Sequence, residues 1–134
     1  MLQITQEKII MEQTTPPVIK VAIIEDRREL REGLAMMINF TEGFNCTGSY
    51  RSFEEALEKI KHNVPDVVLS DIGLPGMSGI EGVKILKERY SDLTILMLSV
   101  YDDNDRIFEA LCAGASGYLL KKTPPTRPPA LLKV

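Results

Sequence analysis

A doubly wound α/β fold around a five-stranded parallel sheet is what this sequence predicts, and three observations predict it. Five short strand-like runs alternate with segments whose apolar residues recur at helical spacing. The runs ending on Asp71 and on Ser99 are apolar nearly throughout rather than on alternate residues, as in strands buried on both faces of a parallel sheet. Turn or charged residues bound each run, so the pattern is β-α-β-α, with right-handed crossovers.

In chain order, Val18–Ile24 (VIKVAII) is the first strand and ends on Glu25-Asp26. Arg27–Phe40 is the first helix, with Leu30, Leu34, Met37 and Ile38 at helical spacing, stopped by Gly43. Phe44–Tyr50 is the second strand. Ser52 with Glu55 three residues on forms a capping box for a helix carrying Phe53, Ala56, Leu57 and Ile60 inward. Pro65 ends that helix and Asp66–Ser70 is the third strand. It runs into Asp71 and a turn through Gly73, Pro75, Gly76 and Gly79. Ile80–Tyr90 is a helix facing inward through Val83, Leu86 and Tyr90. Thr94–Ser99 is the fourth strand. Asp102–Ala113 is a helix with Ile107, Ala110 and Leu111 inward, closed by Gly114. Gly117–Leu120 is the fifth strand, followed by Lys121-Lys122.

The totals limit the function classes. A chain of 134 residues predicts one domain, and 44% hydrophobic with 26% charged residues is ordinary for a soluble globular protein. A net charge of −3 argues against a nucleic acid or an anionic membrane as the main partner. Cys46 and Cys112 form no disulfide framework or metal spacing and are expected in the core of a reduced, cytoplasmic protein. No apolar run approaches a membrane span, and Met1–Pro17 lacks a continuous apolar signal segment.

The chemistry-bearing residues all fall at one end of the predicted sheet. Glu25 and Asp26 follow strand one, Asp71 strand three, Ser99 strand four and Lys121 strand five. In a flavodoxin-like order, 2-1-3-4-5, strands one and three are neighbours at the switch point, so three carboxylates converge there. Close carboxylates repel, and a hard divalent cation with leftover water resolves the conflict, which is how Mg²⁺ is usually held. With that cation and a lysine offsetting charge, Asp71 could attack an incoming phosphoryl group and form an acyl phosphate. Ser99 would donate to one phosphoryl oxygen and Lys121 would pair with another. Taken singly, each residue has a plainer role. Asp71 alone is an Asx turn, Glu25-Asp26 an acidic first helical turn, Ser99 a strand end, Lys121-Lys122 a solvated pair and Tyr118 a half-buried strand aromatic.

Glu25-Asp26, Asp71 in DIGLPGMSG, Leu98-Ser99 and GASGYLLK through Lys121 together resemble the receiver domain of two-component response regulators. The match runs from about Val18 to Lys122 and is most like the subfamily that carries LuxR-type helix-turn-helix outputs. The resemblance implies Asp71 as phospho-acceptor and Mg²⁺ held by Asp26 and Asp71, with Glu25 acting partly through water and the Gly73 carbonyl as a further ligand. Ser99 and Tyr118 would be the coupled switch pair, Lys121 the phosphate-contacting lysine and Pro75 the loop proline. The phosphoryl group would come from a sensor histidine kinase or a small acyl phosphate, since the chain has no Walker loop for ATP; His62 is read as a surface residue. Phosphorylation would switch the surface around the fourth helix and fifth strand. Gly73 leaves room beside the acyl phosphate and Tyr101 would shield it, with opposite effects on its lifetime.

Two segments depart from the family. Met1–Pro17 reads as a tail or linker before a receiver at residues 18–122, and proline-rich Thr123–Val134 is a poor fifth helix, truncated or atypical. The apolar patch so left would be hidden by a short helix in Met1–Gln13 or by a homodimer. A DNA-binding output domain has no room in this chain. The alternative class, an Mg²⁺-dependent aspartyl phosphatase, needs a second acid two residues after the nucleophile, where Gly73 stands. A flavin or nucleotide phosphate would meet Glu25-Asp26-Arg27 instead of a glycine-rich turn.

Overall fold

The structure is a computed structural model and describes residues 17–73, 77, 79–99 and 104–120. Met1–Gln13, Pro75, Tyr101, Lys121 and Thr123–Val134, which carry several of the expectations above, lie outside the described residues.

Five strands, β1 (Ile19–Ile24), β2 (Phe44–Tyr50), β3 (Val67–Asp71), β4 (Thr94–Ser99) and β5 (Gly117–Leu120), form one parallel sheet in the order β2-β1-β3-β4-β5. Four helices connect them: α1 (Arg28–Phe40), α2 (Phe53–Lys59, continued by a 3₁₀ turn to His62), α3 (Gly79–Arg89) and α4 (Asn104–Ala113). The predicted alternation and strand order are those observed. No helix among the described residues is long and apolar enough to cross a membrane.

The pleat sorts the core into two clusters. On one face Ala22, Ile24, Val68, Ile95 and Met97 meet Phe53 and Ala56 of α2, Ile60 of the 3₁₀ turn after it, Val83 and Leu86 of α3, and Ile107 and Ala110 of α4. On the other, Val21, Ile23, Leu69, Leu96 and Leu98 form one cluster with Ile38 of α1. Residues two apart on a strand share a face. Each central strand therefore feeds both clusters, which is why its apolar residues run without interruption.

The element boundaries differ from the expectations by local chemistry. β3 starts and ends one residue later, because Asp66 serves the turn before it. Its carboxylate accepts from Lys20 N–H at 2.9 Å and its own N–H donates to Lys20 O at 2.8 Å. Arg27 is extended and flanks α1 as its N-cap instead of opening it, and Gly43 takes φ 87° in the turn beyond Thr41. Ser52 caps α2, its side chain accepting from Glu55 N–H at 3.1 Å. The Glu55 carboxylate lies toward Arg51 at 3.5 Å and Lys59 at 3.9 Å.

Two residues expected in the core are on the surface. Cys112 is exposed, and Leu111 is 40% exposed. α4 buries a narrow stripe through Ile107 and Ala110; Leu111 lies on its flank, and Cys112, two residues past Ala110, turns to the opposite side. Cys46 is partly buried on β2 with its Sγ 3.4 Å from Gly48 O, and burial pushes its thiol pKa up, as befits a packing residue.

α3 packs close to α2 because Gly82 has no Cβ: one built there would collide with the ring of the fully buried Phe53. Gly82→Ala gains about 1 kcal/mol of helix propensity. Overpacking against a rigid ring costs about 1–3 kcal/mol. The variant is therefore expected to unfold at lower urea concentration than the parent, and an equal or higher midpoint would contradict this packing.

Candidate functional site

The register alone brings the site together. Ile24 of β1 partners Ser70 of β3, so the next residues, Glu25 and Asp71, stand side by side at the carboxyl edge of the sheet. Asp71 in turn partners Leu98 of β4, and Ser99 follows one position on. Glu25 is fully buried, Asp71 is buried and Asp26 is exposed. One carboxylate oxygen from each of Glu25, Asp26 and Asp71 lies within 4.8 Å of the others. The three carboxylates singled out in the sequence therefore form one cluster.

The backbone around them is held from several sides. Glu25 N–H donates to Tyr50 O at 2.9 Å, which ties the β1 end to β2. Arg31 Nη1, from the first turn of α1, donates to Glu25 O at 2.9 Å and to Asp26 O at 3.4 Å. Gly73 N–H donates to Asp71 Oδ1 at 3.1 Å, the Asx turn expected of Asp-x-Gly. Asp71 thus does what its plainer reading requires while also belonging to the cluster.

Residues 21–133 match the family described as response regulator receiver domain. The chain belongs to that family. It is 42% identical over 103 residues to the transcriptional regulatory protein LnrK of Bacillus subtilis strain 168, covering 77% of this chain and 47% of LnrK. The receiver therefore spans about half the length of the curated relatives it matches. Among solved structures it is similar to the signal receiver domain of NarL from Mycobacterium tuberculosis. That match has a TM-score of 0.76 and 31% identity over 83% of this chain and 90% of that one. It is also similar to a LuxR-family two-component response regulator from Aurantimonas sp. SI85-9A1. There the TM-score is 0.78 and the identity 26%, over 87% of this chain and 81% of that one.

The other residues weighed in the sequence divide by position. Ser99 is buried at the end of β4. Tyr118, which partners Met97, shares Ser99's face of the sheet two residues short of it, and the residue is 46% exposed. His62 is exposed at the end of the turn after α2, ahead of β3, so it sits at the sheet edge away from the cluster.

Two cations near the cluster were not singled out in the sequence. Arg31 is one. Arg106 of α4 is the other: a Cβ on Gly73 would lie 3.5 Å from Arg106 Nη1 and 4.0 Å from Asp71 Oδ1. Neither sits in a motif. Arg31 matters through two backbone carbonyls and Arg106 through a long side chain crossing from another element, and neither contact leaves a spacing signal.

The donor set fits a small hard cation. At an effective dielectric of about 20, unit charges 4.8 Å apart repel by roughly 3.5 kcal/mol, a cost that a cation among them would offset. An octahedral ion with bonds of about 2.1 Å spans about 4.2 Å between opposite ligands, matching oxygens held within 4.8 Å. Exposed Asp26 leaves one side open to water, as Mg²⁺ prefers.

In metal-free buffer, Asp26→Asn should raise stability by about 1 kcal/mol, the repulsion of an exposed charge being partly screened. Mg²⁺ at one hundred times its Kd should stabilise the parent by about 2.7 kcal/mol and the variant far less. Thermal melts with and without Mg²⁺ read both, and a variant that loses stability in metal-free buffer while keeping the full Mg²⁺ response would contradict the assignment.

Proposed function

We propose that this receiver accepts a phosphoryl group on Asp71, with Mg²⁺ held by Glu25, Asp26, Asp71 and the Gly73 carbonyl, and passes the change to the face formed by α4 and β5. The observation that carries this proposal is the convergence of Glu25, Asp26 and Asp71 at the ends of adjacent strands. A carboxylate oxygen of Asp71 attacks phosphorus and forms the new O–P bond. From a phosphohistidine donor the P–N bond breaks and the electron pair stays on the imidazole, which takes a proton from water. From acetyl phosphate the P–O bond breaks and acetate leaves. Bound at the cluster, Mg²⁺ would supply positive charge to the transferring phosphoryl oxygens. Hydrolysis, by attack of water on phosphorus, returns the Asp71 carboxylate and inorganic phosphate.

The chain's own groups complete the site by the family's pattern. Ser99 donates its hydroxyl to a phosphoryl oxygen and Lys121 pairs with another. Ser99 is buried beside β5, so drawing it toward the phosphoryl group vacates space on the face it shares with Tyr118, whose exposed ring can turn in. Phe108 and Leu111 of α4 are 67% and 40% exposed and lie with Tyr118 on the elements that respond. That apolar surface is the one we assign to an output partner or a second copy of the chain, which sedimentation at several concentrations would detect.

The donor would be a sensor histidine kinase and the setting cytoplasmic. Since LnrK is a transcriptional regulatory protein, the wider role proposed is control of transcription through a DNA-binding output domain beyond the matched half.

Incubation with acetyl phosphate and Mg²⁺ should add the mass of one phosphoryl group, and Asp71→Asn or chelation of the metal should abolish it. Lys121→Ala should slow the gain by at least about tenfold, the loss expected for one charge-assisted contact. No mass gain by the parent, or an undiminished gain by Asp71→Asn, would contradict the proposal.

A further inference from the structure

We infer that Arg106, projecting from the first turn of α4, is a second cationic contact for the phosphoryl group on Asp71 and links its arrival to α4. This inference rests on the proposed phospho-acceptor role of Asp71.

The geometry comes from the space over Gly73. Arg106 Nη1 lies 3.5 Å and Asp71 Oδ1 4.0 Å from the point where a side chain at that position would begin. The two distances place Nη1 at most 7.5 Å from Oδ1, so the arginine and the carboxylate are neighbours beside Gly73. A phosphoryl group bonded to an Asp71 oxygen projects beyond the carboxylate into the mouth of the site. A guanidinium at that distance reaches phosphate oxygens with its planar fork of donors. Arg106 is exposed and on a long side chain, so small torsional changes suffice to close on the group.

Charge favours the same arrangement. Three carboxylates occupy the site, and Arg31, the other arginine placed beside them, directs Nη1 to the carbonyls of Glu25 and Asp26. Arg106 approaches from the side of Gly73.

The consequence for α4 is mechanical. Arg106 is the third residue of that helix, one residue before Ile107, which anchors α4 in the core. A phosphoryl group that engages the guanidinium restrains the first turn of α4, the element bearing exposed Phe108 and Leu111. Occupancy of Asp71 is then felt on α4 directly, in addition to any movement of Ser99 and Tyr118.

The test compares the parent, Arg106→Ala, Arg106→Lys and Asp71→Asn with acetyl phosphate and Mg²⁺, following mass gain over time at low and high salt. Arg106→Ala should be phosphorylated about tenfold more slowly than the parent at low salt. Arg106→Lys should recover part of the rate, and the gap between parent and Arg106→Ala should narrow at high salt, because an exposed cation is screened. Hydrogen exchange should show the first turn of α4 protected on phosphorylation in the parent but not in Arg106→Ala. Equal rates with equal salt dependence, or the same α4 protection in both proteins, would overturn the role of Arg106. Failure of the parent itself to gain mass would instead remove the acceptor reading on which the inference rests.

Discussion

Repulsion among Glu25, Asp26 and Asp71 is the constraint around which this receiver is arranged. Parallel strands end at a common edge, and the β1–β3 register sets Glu25 beside Asp71 with no freedom to separate. The fold must therefore hold negative charges together that water would let drift apart. Its backbone hydrogen bonds fix where they sit, and a cation bound among them would offset their charge. That same cation would let an aspartate receive an anion, and the feature that burdens the fold is the feature that gives it chemistry.

The rest of the molecule keeps this edge rigid and one neighbouring face responsive. Arg31 pins the carbonyls of Glu25 and Asp26 from α1, and Tyr50 O holds the Glu25 amide from β2. Behind the sheet, Phe53 seated against Gly82 locks α2 to α3, so that side of the core has little slack. α4 is different. It buries a narrow stripe through Ile107 and Ala110 and leaves Phe108, Leu111 and Cys112 outward. A helix with so slim an anchor is suited to shift when a charge arrives nearby, because little buried area is lost in moving it.

Much of this was legible in the chain before any coordinate. Continuous runs such as VVLSD could only be strands covered on both faces, and a β-α-β alternation left few topologies. The strand ends then placed Glu25, Asp26, Asp71 and Ser99 at one edge without further information. What escaped the sequence escaped for identifiable reasons. Leu111 reads as inward because helical spacing states a period but not the width of the buried stripe, and Cys112 because a thiol with no disulfide or metal partner is expected in a core. Asp66 was counted as strand because its role, bonding Lys20 across the turn, depends on a partner distant in sequence. Arg31 and Arg106 act through atoms far from their own Cα, and long side chains leave no periodic trace.

Paramagnetic relaxation tests the electrostatic core of this account most directly. Mn²⁺ titrated into isotopically labelled protein, with amide signals followed by NMR, should broaden residues 25–26 and 71–73 first and saturably, and excess Mg²⁺ should restore them. Broadening that is uniform over the surface, or centred on other carboxylates such as Asp66 and Asp92, would show that the three acidic groups at the sheet edge do not form a cation site.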